Sequence, residues 1–167
     1  MRQTRGFASA ILIIAAACAW PLPARAIPVD LELTLCVDAS SSVSFDEFFL
    51  QTRGLAEAFR SRPVIEAIRA VGGIAVTLMQ FSSADRQRIA VDWTHVPDAV
   101  AAAALAEAIE RGPRYVTAGT TAIGSVISQA SEGFRNNGFE GARLAIDVSG
   151  DGRSNEGLLT PFARDRA

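Results

Sequence analysis

The sequence has 167 residues, 49% hydrophobic and 20% charged, with a formal net charge of −2. That length suits one domain. The mildly acidic balance and the lack of a basic stripe exclude a nucleic-acid-binding surface. All 16 basic residues are arginine, a bias of GC-rich coding and not a functional device.

The first 26 residues, "MRQTRGFASAILIIAAACAWPLPARA", have a basic start at Arg2 and Arg5, an apolar stretch from Phe7 to Trp20 and "ARA" at Ala24–Ala26. This pattern predicts a secretory signal peptide cut after Ala26. The apolar stretch is short for a membrane span. "AAAC", ending at Cys18, lacks the leucine of a lipoprotein cleavage site. The expected product is a periplasmic or secreted bacterial protein starting at Ile27. The leader removes three arginines and no acid, so the remainder is more acidic than the whole. Cys36 is then the one cysteine left, no internal disulfide is possible, and a thiol inside an apolar run is expected to be a small buried hydrophobe.

Leu31–Asp38, "LELTLCVD", reads as a strand buried on both faces, as in a parallel sheet. Ser44 and Glu47 have capping-box spacing. Phe45, Phe48, Leu55 and Phe59 then recur at helical period, which predicts a helix over 45–60. Pro63 opens a short helical piece to Ala70. Gly73–Ser82 is a second buried strand. Gln87–Trp93 follows a polar turn and reads as an antiparallel hairpin partner at the sheet edge. Pro97–Gly112 and Thr121–Phe134 are helices, and Ala142–Gly150 is a third buried strand. "DGRSNEG" is a polar loop, after which Thr160 and Pro161 start one more helix. Strands alternating with helices predict a doubly wound, mostly parallel α/β sheet.

In such sheets ligands bind beyond the carboxyl ends of the strands, near the switch in strand order. Three polar segments are expected there: Asp38, Ser40 and Ser42; "GTT" at Gly119–Thr121; and Asp151. Alternate side chains of D-x-S-x-S turn to one side of a tight loop, so Asp38, Ser40 and Ser42 can converge while Ala39 and Ser41 point away. No phosphate loop of the GxxxxGK[ST] or GxGxxG kind occurs, and there is no Cys/His cluster. His95 reads as a solvated turn residue. Two carboxylates with three hydroxyls suit a small hard cation such as Mg²⁺, which takes six oxygens. Taken alone, Asp38, Ser40 and Ser42 also suit loop and helix caps.

"DASSS", "GTTAIG" and "DVSGDG" together resemble the von Willebrand factor type A domain and its metal-ion-dependent adhesion site, with the pattern D-x-S-x-S, then Thr, then Asp. More narrowly, "VDLELTLCVDASSSV", "EFFLQTRGLAEAFR", "VDWT" and "IDVSGDGRSNEG" resemble the bacterial DUF1194 family, over nearly all of Val29–Asp165. The resemblance implies a metal set of Asp38, Ser40, Ser42, Thr121 and Asp151. Thr121 matches the family threonine by the isoleucine two residues on, and Thr120 is the neighbouring alternative. Ser40, Ser42 and Thr121 would touch Mg²⁺ (or Mn²⁺) directly, and Asp38 and Asp151 largely through waters. The uncharged direct ligands would leave the cation to take a carboxylate from a protein partner, which is binding and not catalysis. Ser41 stands where the family has glycine. The family fold also has further strands and helices after Asp151, so the last strands are expected to be missing here.

Other classes fit less well. A phosphohydrolase with Asp38 as nucleophile needs an acid where Ser40 stands, and a lysine. A serine hydrolase needs a base and a G-x-S-x-G elbow. A metal-free interaction module of the same fold would not need the five-residue set intact. Asp147 is expected to pack within its strand, Asn155 and Glu156 to line the rim or form a polar turn, and Phe45, Phe48 and Phe59 to be core.

Overall fold

The apolar runs from Ile27 onward fall on strands and helices of the computed structural model, which describes residues 25–167. The order is β1 (Ile27–Asp38), α1 (Phe45–Arg60), α2 (Arg62–Ala70), β2 (Ile74–Phe81), β3 (Gln87–Val96), α3 (Ala99–Arg111), α4 (Ile123–Gly133), β4 (Phe139–Ser149) and α5 (Thr160–Arg164). The leader expected at residues 1–26 lies, but for its last two residues, outside the described residues.

The strands form one sheet in the order β3-β2-β1-β4. β1 runs parallel to both β2 and β4, with Leu35 opposite Leu78 and Asp147. β3 returns antiparallel along the outer edge of β2, placing Phe81 opposite Gln87. The chain therefore winds to one side of β1 and then crosses to the other. β1 is the switch strand, and its carboxyl end at Asp38 opens into the crevice.

The alternation of β1 sorts two cores. Leu35 and Val37 face Phe48, Phe59, Leu105 and Ile109 of α1 and α3. Cys36 faces Met79, Phe81, and Val126 and Ala130 of α4. In α1 the buried positions are Phe48, Thr52, Ala56 and Phe59, one stripe at helical spacing. Burying Phe48 alone contributes roughly 1.5–3 kcal/mol. The capping box forms: the Glu47 amide donates to Ser44 Oγ at 3.2 Å, and the Ser44 amide to Glu47 Oε2 at 2.8 Å. Asp98 caps α3 with its side chain alone, accepting from the amides of Val100 and Ala101 at 2.9 Å.

Four expectations are corrected. Phe45 is 59% exposed, because the first turn after the cap projects it away from the Phe48 stripe and against Phe49. His95 lies in β3 and not in a turn: the ladder runs on to Val96, which pairs with Ile74, and His95 stands opposite Ala75. β4 is not a buried strand. Its outer side carries no strand among the described residues, so Leu144 is exposed, as is Asp147, which does not pack internally. Leu31 and Leu33 of β1 are only half-buried, for they line an open groove between α1, α2 and the start of β4. No helix among the described residues is long and apolar enough to cross a membrane.

Candidate metal site

Asp38 is the last residue of β1 and is fully buried. Its Oδ1 accepts from the Ser40 amide at 2.8 Å, an Asx turn that bends the chain sharply off the strand. That bend turns Ser40 and Ser42 to the same side, with their hydroxyls 3.2 Å apart. Ser42 Oγ donates to Asp151 Oδ1 at 3.2 Å, and Thr121 Oγ1 to Ser40 Oγ at 3.2 Å. The structure thus links Thr121, Ser40, Ser42 and Asp151 in one chain of oxygens beside Asp38. The five residues predicted from the sequence are brought together. Thr120 is not among them, since its hydroxyl meets Ser83 and Glu156 instead.

Each strand end delivers one part. β1 presents the 38–43 turn. β2 ends at Phe81, and Ser82 just beyond it holds the 118–122 segment: Ser82 Oγ donates to the Ala118 carbonyl at 2.8 Å, and the Ala122 amide to the Ser82 carbonyl at 2.9 Å. β4 ends at Ser149, two residues before Asp151. Gly119 has φ of 119°, a region closed to other residues, and a Cβ there would collide with the Ser83 hydroxyl.

Two further contacts orient the site: Asn155, expected at the rim or in a polar turn, stands at the rim, and Ser41 ties two loops. Asn155 grips Thr121 from both sides: its Oδ1 accepts from the Thr121 amide and its own amide donates to the Thr121 carbonyl, each at 2.9 Å. Ser41 exchanges two bonds with Gly119: the Ser41 amide donates to the Gly119 carbonyl and Ser41 Oγ accepts from the Gly119 amide, both at 2.9 Å. Ser41 does not have positive φ, so serine in place of glycine carries no backbone strain. The substitution instead adds a tie between two loops.

The donor set fits a hard cation. Adjacent oxygens of an octahedron with 2.0–2.1 Å bonds lie about 3 Å apart, close to the 3.2 Å spacings here. Asp38 Oδ2 is buried with no hydrogen-bond partner, an orphaned acceptor of the kind a cation or its water satisfies. Burial pushes the Asp38 carboxyl above its ordinary range and Asp151 adds to the rise, while the Ser40 bonds and the Arg114 charge oppose it. No group of three or more His, Cys, Asp or Glu side chains is gathered among the described residues; the set is two carboxylates and three hydroxyls, all oxygen donors.

A sheet ordered β3-β2-β1-β4 with an antiparallel β3, helices on both faces and polar loops at the switch point defines a doubly wound α/β domain. The chain belongs to the family described as "Protein of unknown function (DUF1194)", which matches residues 28–167. Among solved structures, proximal thread matrix protein 1 from the mussel byssus aligns at 18% identity with a TM-score of 0.63, over 86% of this chain and 36% of that one. The same protein "with zinc occupied MIDAS motif" aligns at 19% identity and a TM-score of 0.57, over 86% and 36%. The pilus adhesin SpaC from Lactobacillus rhamnosus GG aligns at 20% identity and a TM-score of 0.50, over 75% of this chain and 16% of that one. These likenesses show the fold, and the chain spans about a third of the mussel protein. No curated protein matches the sequence.

Proposed function

We propose that this chain is a secreted or periplasmic protein-binding module that works through Mg²⁺ or Mn²⁺, with residues 1–26 acting as a signal peptide removed after Ala26. Ser40, Ser42 and Thr121 would hold the cation directly, and Asp38 and Asp151 largely through waters. When bound, the ion supplies a Lewis-acidic position that a partner's carboxylate can fill.

The observation that carries this reading is the buried, partnerless Asp38 Oδ2 beside four linked side-chain oxygens. The residues' own work is to bind and to orient. Asp38 bends the turn and aims both serines, Asn155 aims Thr121, and Asp151 ends the chain of oxygens. The three direct ligands are uncharged hydroxyls and leave the cation Lewis-acidic towards a carboxylate, which suits an acidic partner. The described mussel-byssus and pilus relatives, one with a zinc-occupied motif, support a binding role. Binding without turnover is also favoured by the position of His95: it pairs with Ala75 near the amino end of β2, at the other end of the sheet from the hydroxyls.

Thermal unfolding in chelator and in millimolar Mg²⁺ or Mn²⁺ tests the assignment. Ligand at about 100 times its dissociation constant adds roughly 2.7 kcal/mol. A clear rise in the wild type that Asp38→Ala abolishes is the expected result. A cooperative transition indifferent to metal would favour a metal-free module of the same fold.

A further inference from the structure

We propose that Arg114 is a positioning residue of this site, a clamp that holds the Ser40–Ser42 turn in its cation-ready shape. The inference rests on reading the site as a cation site.

Arg114 lies half-buried on the connection between α3 and α4, and residue type alone does not link it to the loop it serves. Its Nη2 donates to the carbonyls of Ala39 at 2.9 Å, Ser40 at 3.0 Å and Val43 at 3.0 Å. Its Nε donates to the Val116 carbonyl at 3.1 Å. The guanidinium carbon stands 5.2 Å from the Phe48 ring centroid and 5.8 Å from that of Phe45. Among the described residues Arg114 forms no ion pair with a carboxylate. Its charge is spent on main-chain oxygens, and three of the four belong to the turn that carries Ser40 and Ser42.

The base of the clamp is itself fixed. Gln80, buried on β2, accepts from the amides of Tyr115 at 2.7 Å and Val116 at 3.3 Å, and donates to the Pro113 carbonyl at 2.9 Å. A rigid strand thus holds the 113–116 segment, that segment aims Arg114, and Arg114 gathers the carbonyls of the turn. A planar fork can reach Val116 on one side and the turn on the other while stacked on two rings. A lysine ammonium has neither the span nor the plane.

The charge and the fork act on a cation in opposite directions. A fixed positive charge near the site repels a metal ion, whereas a preformed row of hydroxyls favours one. The four carbonyl bonds argue that the fork dominates, so removing Arg114 weakens cation binding although it removes a repulsive charge.

The test is Mn²⁺ titration of the full chain, followed by electron paramagnetic resonance of the free ion, for wild type, Arg114→Gln, Arg114→Lys and Asp38→Ala. Unfolding in chelator is measured alongside, to show that each variant is folded before metal is added. The expected result is a dissociation constant raised about 10–100-fold in both Arg114 variants, the range for residues that orient metal ligands. Unchanged or tighter binding in Arg114→Gln overturns the clamp, as does wild-type affinity in Arg114→Lys, which would show that charge and not the fork matters. Where Arg114→Gln does not fold in chelator, Arg114→Lys decides by itself. Absence of Mn²⁺ binding in the wild type, or wild-type binding in Asp38→Ala, sinks the site reading and the clamp with it.

Discussion

Gly150 passes so close to Asp38 that a Cβ on it would stand 2.9 Å from Oδ2 and 3.2 Å from the Asp38 Cβ. The β4 loop thus closes over the carboxylate at the head of β1, and a buried anion sits there with one oxygen unpartnered.

Asp38→Asn separates the anion's two effects. The Asp38 pKa is raised in the fold. The stability linked to its protonation is therefore fully present below the unfolded value and is lost as pH rises through the folded one. At neutral pH without metal the carboxylate opposes folding, and asparagine, which keeps an oxygen for the Ser40 amide, does not. In chelator at pH 7 Asp38→Asn should unfold at or above the wild-type temperature, with the gap closing on acidification. It should lose the response to Mg²⁺. A metal-induced shift of wild-type size in this variant would remove Asp38 from the site.

Ser41→Ala deletes the acceptor for the Gly119 amide. One hydrogen bond contributes about 0.5–1.5 kcal/mol, and that loss should appear in urea unfolding in chelator. The same variant should also shrink the thermal shift with Mg²⁺, since the tie holds the turn against the segment that carries Thr121. An unchanged shift would make the tie purely structural.

Ser44→Ala is the matched control two residues beyond the site. It removes the helix cap and should cost about 1 kcal/mol in chelator. The stabilisation gained from metal should stay intact, because the Ser44–Glu47 bonds are separate from the Ser40, Ser42 and Asp151 contacts. Equal loss of metal response in Ser44→Ala and Ser41→Ala would mean that the whole turn, and not the tie, governs binding.

Cys36 lies 1% exposed among Met79, Phe81 and Val126. Burial, with Asp147 adding, pushes its thiol from 9.0 up to about 12. The proton is held more tightly in the fold, so this stability is complete below pH 9.0 and is lost as pH climbs towards about 12. Iodoacetamide at pH 8 should label Cys36 only after denaturation. Rapid labelling of the native protein would place the thiol outside the core.

What could be read from the sequence was whatever rests on period and local spacing. The capping box, the helical period of Phe48, Leu55 and Phe59 and the D-x-S-x-S turn each need only neighbours within a few residues, and they sit where the pattern puts them. The ends of elements were less legible. β1 begins at Ile27 and not at Leu31 because its amino end pairs with β4, Ile27 facing Phe139, a partner far along the chain. β4 has the apolar composition of a central strand, but exposure depends on what lies beside it. The Arg114 contacts, the grip of Asn155 on Thr121 and the Ser41 tie were not legible for a further reason. They act on main-chain amides and carbonyls, which every residue has, so residue type carries no trace of the pairing.

Midway along β1, Glu32 is 2% exposed and reaches across towards the start of β4. Its Oε1 accepts from the Gly141 amide at 2.6 Å and its Oε2 from Asn137 Nδ2 at 2.5 Å, and a Cβ on Gly141 would stand 2.9 Å from Oε1. A slip of β4 along β1 would pull that carboxylate off both donors and leave it buried without them. Glu32 is therefore a mechanical stop. With the two strands barred from sliding, any movement that ligand engagement causes at the cation end must be taken up within the loops after them.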